Sequence, residues 1–215
     1  MKPTARYILT TFACSTFFSM GVAWSQTSNP ADKLPGNAGK ADTAKAQTSS
    51  LNAPQTIINA QIAKAQERMR ADLKTYSRDD LRQIETLYQV ANKKWKTEEG
   101  KASLKKLIAQ YDKANRTGCA LLYLGQMTRG EEQIGYLKQA IEKFSDCYYG
   151  DGVQVGANAR MILSSIYFRR GDREQAVQLL QEVKTNYPNA ITHRGQSLVA
   201  IVDQELTRRQ SPPQK

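Results

Sequence analysis

The chain has 215 residues, enough for one domain of ordinary size with appendages. It carries 31 Lys and Arg against 20 Asp and Glu, a formal net charge of +11, with three cysteines and one histidine. A lone histidine excludes chemistry built on a histidine pair, and the cationic excess fits either a solvated basic face or an anionic partner.

In chain order, Lys2 and Arg6 precede an uncharged, largely apolar run from Tyr7 to Ala23. Ala23-Trp24-Ser25 then places small residues at the two positions a signal peptidase reads. The expectation is a secretory signal, residues 1–25, cleaved before Gln26, and a periplasmic or secreted mature protein. The alternative is an uncleaved membrane anchor formed by residues 7–23. Cleavage removes two cations and no anion, so the mature charge is 11 − 2 = +9. Residues 26–53 contain no aromatic side chain, and Leu34 and Leu51 are their only large apolar ones. Such a stretch cannot bury enough surface to offset its ordering entropy, so it reads as a flexible linker. The tail at 210–215 reads the same way.

From residue 54 onward the rhythm is helical. Ile57, Ile58, Ile62, Ala65, Met69 and Leu73 recur at spacings of three and four. Ser77, followed by Asp79 and Asp80, offers a capping oxygen and first-turn acids for a second helix. The apolar stripe of that helix is Leu81, Ile84, Leu87, Tyr88, Ala91 and Trp95. No alternating strand pattern follows.

The rest of the domain repeats. Leu87, Leu124 and Leu163 are spaced by 37 and 39 residues, and Tyr111, Tyr148 and Tyr187 by the same 37 and 39. Three more columns stay apolar: Val90, Met127 and Ile166; Leu104, Ile141 and Leu180; Leu107, Phe144 and Val183. Each copy reads as two helices joined by a polar turn, near residues 96–101, 128–133 and 169–174. One such pair cannot bury its stripe alone, whereas stacked pairs share a continuous core.

The third copy, residues 157–190, resembles the tetratricopeptide repeat family. That family's pattern is Trp-x2-Leu-Gly-x2-Tyr, then Ala-x3-Phe, then Pro. Here Leu163, Ser164 and Tyr167 are followed by Ala176, Leu180 and Pro188 at matching intervals, with Gly171-Asp172 at the turn. Arg160, Ser164 and Leu180 replace the family's Trp, Gly and Phe. The second copy keeps Leu124-Gly125 but has Thr128 for Tyr and Leu137 for the small Ala. The first has Gly100 at the Ala position and Asp112 at the Pro position. The resemblance implies an all-α, right-handed stack of antiparallel helix pairs over 54–209. That is an α-solenoid of about three repeats with an N-terminal helix and a capping helix at 191–209. The competing fold is a non-repeat helical bundle.

The resemblance also implies a function: an exported scaffold in the cell envelope that binds another envelope or secreted protein. The first helix of each pair would line a concave groove. Carried over by position, the groove residues are Arg82, Glu85, Gln89 and Asn92; Leu122, Gln126 and Arg129; and Asn158, Met161, Ser165 and Phe168. The alternative is a basic surface binding anionic lipid or glycan; nucleic acid is not expected outside the cytoplasm.

No nucleophile setting, zinc spacing or phosphate-cradling glycine loop appears, so neither an enzyme nor a metal or cofactor is expected. His193 reads as a solvated surface residue. The glycines of 148–156 read as a connection between repeats. Cys119 and Cys147 fall at helix ends that antiparallel packing brings together. A disulfide there would close a 28-residue interval and contribute ~3 kcal/mol, the alternative being two buried thiols.

Overall fold

The computed structural model of the protein describes residues 51–210. The expected signal, most of the expected linker and the last five residues lie outside them. Among the described residues there are eight helices: α1 (Gln55–Thr75), α2 (Arg78–Lys93), α3 (Glu98–Gln110), α4 (Asn115–Met127), α5 (Gly130–Lys143), α6 (Val155–Arg170), α7 (Arg173–Asn186) and α8 (Leu198–Gln210). The only extended pairings among them are three isolated bridges.

Local chemistry sets the helix starts. Ser77 forms the capping box anticipated for α2: its Oγ accepts from the Asp80 amide at 3.1 Å, and Asp80 reaches back to the Ser77 amide at 3.2 Å. Thr97 caps α3 by accepting from the Gly100 amide at 3.1 Å. Helix α6 stops at Gly171, whose φ of 89° is the left-handed conformation that a side chain would oppose. Helix α7 stops at Tyr187, the residue before Pro188, where the missing amide ends the ladder.

The helices pair as α2/α3, α4/α5 and α6/α7, each pair packing on the next. The first helices also touch one another, α2 on α4 and α4 on α6. They therefore form the inner, concave layer of an α-solenoid, and α3, α5 and α7 form the outer one. One core runs from Ile84 in α2 to Ala176 in α7 and holds the repeat columns of Leu87, Leu124 and Leu163. A second core lies under α8, where Leu198, Val202 and Leu206 cover Leu180, Val183 and Ala157. This is the capping function expected of a terminal helix.

Packing explains two departures from the family pattern. Leu137 is too large for the small-residue site, and Gly125 makes room for it: a Cβ at 125 would sit 2.6 Å from a Leu137 methyl. At position 100 even alanine is too large, because a Cβ there would collide with the Lys94 carbonyl oxygen.

Two expectations change. The capping helix begins at Leu198, because 191–197 form a turn in which Ile191 pairs with Ser197. The linker does not reach residue 53: the Ala53 amide donates to the Gly195 carbonyl at 2.9 Å and the Ser197 amide to the Leu51 carbonyl at 2.7 Å. Residues 51–53 therefore belong to the fold. The N-terminal helix α1 is a strap across the connections between pairs. Asp72 accepts from the Asn115 amide at 2.9 Å, Arg68 donates to the Lys113 carbonyl at 2.9 Å, and Gln61 and Ile62 lie against Gly152. The amphipathic pattern of α1 is served mostly by loops, and Leu73 is left 65% exposed.

Candidate functional site

The inner face was to be lined by eleven residues, and the structure separates them into three groups. On α2 they form a polar ladder. Arg82 pairs with Asp79 at 3.2 Å, Glu85 accepts from Gln89 at 2.6 Å, and Gln89 accepts from Asn92 at 3.2 Å. Glu85 also pairs with Arg116 at 2.9 Å, and the Arg116 guanidinium lies 4.3 Å from the Tyr88 ring centre. Burial works to lower the pKa of Arg116, but Cys119 and Glu85 beside it reverse the sign and raise it.

On α4 the expectation fails in part. Leu122 is buried and belongs to the core, so it cannot line a groove. A connection of the chain itself closes this part of the face. Tyr149, from the segment between α5 and α6, is buried against α4 and donates from its hydroxyl to the Cys119 carbonyl at 3.3 Å. Burial drives its phenol well above the ordinary value. Its ring lies 5.8 Å from that of Tyr123, which stacks on Tyr88 at 5.3 Å and meets Trp95 edge-on at 5.2 Å. Only Gln126 and Arg129, at the far end of α4, stay exposed.

On α6, Ser165 is exposed and its hydroxyl donates to the Met161 carbonyl at 3.1 Å. Asn158 donates to the Gln154 carbonyl at 3.0 Å. Met161 and Phe168 are half-buried against the cluster under α8, and the Arg209 guanidinium covers Phe168 at 3.9 Å. The terminal cap, not a partner, claims most of these two apolar side chains. What stays open is a band along the C-terminal halves of α2, α4 and α6, with Gln89, Asn92, Gln126 and Ser165 on it and Trp95 and Phe168 half-buried beside it.

Asn115, Tyr149 and Asp151 were not anticipated. Asn115 clasps the backbone of Tyr148, donating to its carbonyl at 2.7 Å and accepting from its amide at 2.8 Å. That pair of hydrogen bonds holds the connection in place, and Tyr149 follows from it. The Tyr148-Tyr149 doublet was visible in the sequence, but the repeat column drew attention to Tyr148 alone. His193 is not merely solvated: Nδ1 lies 2.6 Å from Asp151, and the ring meets Tyr149 edge-on at 5.0 Å. Burial works to raise the Asp151 carboxyl, and His193 outweighs it and holds it below the usual range.

The expected disulfide is not formed; both cysteines are free and buried. Cys119 points to the Tyr148 carbonyl at 3.4 Å, while Cys147 packs over Gly118 and accepts from Arg68 at 3.8 Å. The two side chains are held by different partners. Burial pushes each thiol up to about 12, so neither is a nucleophile near neutral pH. Among the described residues no group of three or more His, Cys, Asp or Glu side chains is placed to hold a metal ion. None of the described helices is long and apolar enough to cross a membrane.

Residues 158–190 match the family model of the tetratricopeptide repeat. Neither the curated proteins nor the solved structures give a match to this chain.

Proposed function

With a tetratricopeptide repeat as its best-defined unit, a unit that generally mediates protein–protein interaction, we infer that this protein is an exported scaffold of the cell envelope holding a segment of a partner protein on its inner helix face. The open band carries the reading. Side-chain amides and hydroxyls at Gln89, Asn92, Gln126 and Ser165 can pair with the backbone of a bound segment, and half-buried Trp95 supplies apolar contact beside them. The export half of the reading rests on the basic start, the apolar run and the small residues before Gln26. Catalysis forms no part of this reading.

The test is site-specific photocrosslinking in cells expressing the full chain. A crosslinker at Gln126 or Ser165 is expected to trap a discrete partner, and one at Lys106 or Gln181 on the outer layer is not. The adducts should survive ~0.5 M salt, where exposed charge pairs are screened. Equal labelling of both faces, lost at that salt, would replace the scaffold with a basic surface binder of anionic lipid or glycan. Mass spectrometry of the N-terminus is expected to find the mature chain starting at Gln26; an intact residue 1 in the envelope fraction would support the anchor instead.

A further inference from the structure

Helices α1 and α4 touch, yet they are held in the fold by opposite means. Helix α4 has eleven of its thirteen residues buried. Helix α1, with twenty-one residues, has three: Gln61, Ala65 and Asp72. Ala65 is the one apolar side chain among them, and neither it nor Ile57, Ile58, Ile62, Met69 or Leu73 belongs to either hydrophobic cluster. What holds α1 down is polar. Arg68 reaches the connection after α3 at the Lys113 carbonyl, and the connection after α5 at Asp146 (3.6 Å) and the Cys147 thiol (3.8 Å). Asp72 accepts from the Asn115 amide, an orphan donor at the start of α4, where Ala114 brings no side-chain oxygen of its own. Gln61 is 2% exposed, and its Oε1 has no hydrogen-bond partner among the described residues.

Such contacts exchange readily for water. A hydrogen bond between protein groups replaces bonds to water and gains little net, whereas apolar burial gains in proportion to its area. The orphaned Gln61 oxygen opposes closure, and opening hydrates it. Parts of a fold that bury little apolar surface open at lower free energy than the core they rest on. We propose that α1 is a strap that opens and closes as a unit while the helix pairs stay folded, uncoupling the connections after α3 and α5 and baring Cys147. The opening hinges at Tyr76, which packs on the main core, and breaks the two backbone bonds that residues 51–53 make with the cap turn. Cys119 stays covered in the open state. Its thiol faces the Tyr148 carbonyl, and the Asn115 side chain, not α1, clasps the Tyr148 backbone. The device is independent of what the inner face binds.

Thiol labelling of the full-length, reduced protein with iodoacetamide tests this, with the rate read separately at Cys119 and Cys147 by mass spectrometry. Cys147 is expected to react at least about tenfold faster than Cys119, because local opening precedes global unfolding. Asp72→Ala removes a hydrogen bond to a charged group and should speed Cys147 about tenfold. Gln61→Met keeps the shape without the orphaned oxygen and should slow it about fivefold, an effect in the stabilising direction that cannot come from misfolding. Val183→Ala, in the core under α8, lowers the stability of the stack; it should speed Cys119 about tenfold and leave Cys147 unchanged. Hydrogen exchange on the same protein should find the α1 amides exchanging well before those of α4. Equal labelling of the two thiols, a Cys147 rate that follows Val183→Ala as Cys119 does, indifference of Cys147 to Gln61→Met, or α1 amides protected as long as those of α4 would each overturn the proposal.

Discussion

In the third helix pair, α7 runs to Asn186 and ends at Tyr187; in the second, α5 ends at Lys143 with Phe144 at its cap, about one turn earlier in the shared register. Both pairs carry the same columns, yet they solve the joint to the next element differently. At the third joint Tyr187 stays half-buried, its hydroxyl 2.9 Å from Arg160, and α8 closes the core behind it. At the second the lost turn becomes connection. Tyr148 is buried and clasped by Asn115, and Tyr149 is carried onto the inner face of α4. A regular stack would leave the whole inner face to a partner. Ending one helix a turn early lets the chain itself cover part of α4.

Glycine separates the two pairs most sharply. Gly118 in α4 is a packing glycine: a Cβ there would lie 2.6 Å from Cys147 Cβ and 2.9 Å from Phe144 Cβ. Gly118→Val should therefore cost about 3 kcal/mol, read as a lower urea midpoint, and should loosen the Tyr149 plug. A loss below ~1 kcal/mol, the level of ordinary surface change, would show that the second joint is not tightly built. Gly171 in the third pair is a conformational glycine with φ of 89° and nothing near its Cβ position. Gly171→Ala should cost only ~1 kcal/mol, the strain of a left-handed residue, with partner crosslinking intact.

The smallest effect expected is on acid stability. The carboxyls of Asp151, at the second joint, and Glu205, on the cap, are both held low. Burial pushes each up, and His193 in one case and Arg209 with Arg208 in the other outweigh it. A depressed folded pKa contributes stability that is present above the unfolded value and lost as pH falls through the folded one. The urea midpoint should therefore drop below about pH 4.5, the ordinary value for Glu. Each group should contribute less than ~1 kcal/mol, because both are partly exposed. Asp151→Asn should flatten that drop; an unchanged slope would mean that His193 does not tie the cap turn to the second joint.

The helices, their pairing and the core columns were legible because each is a short-range pattern. Ser77 with Asp80 marks a start, Pro188 marks a stop, and leucines at fixed intervals mark a buried face. Of the residues that position alone assigns to the inner face, Arg82, Asn92, Gln126, Arg129 and Ser165 are exposed and Gln89 is half-buried. Leu122 belongs to the core instead, and Met161 and Phe168 pack against the cluster under α8, a contact that repeat position alone does not encode. Two cysteines at adjoining helix ends leave a bridge and a pair of buried thiols both open in the sequence; in the structure the thiols are free.

The amino-acid sequence by itself determined an all-helical chain of paired elements, where most of them begin and end, and which side chains meet inside. Those properties follow from capping, periodicity and burial, which act over a few residues or repeat at fixed intervals. Only the tertiary structure decided that α1 straps the connections between pairs, that Tyr149 packs against α4, and that Asp151 meets His193. Each of these depends on contacts between residues far apart in the chain, made by loops whose paths no local pattern encodes.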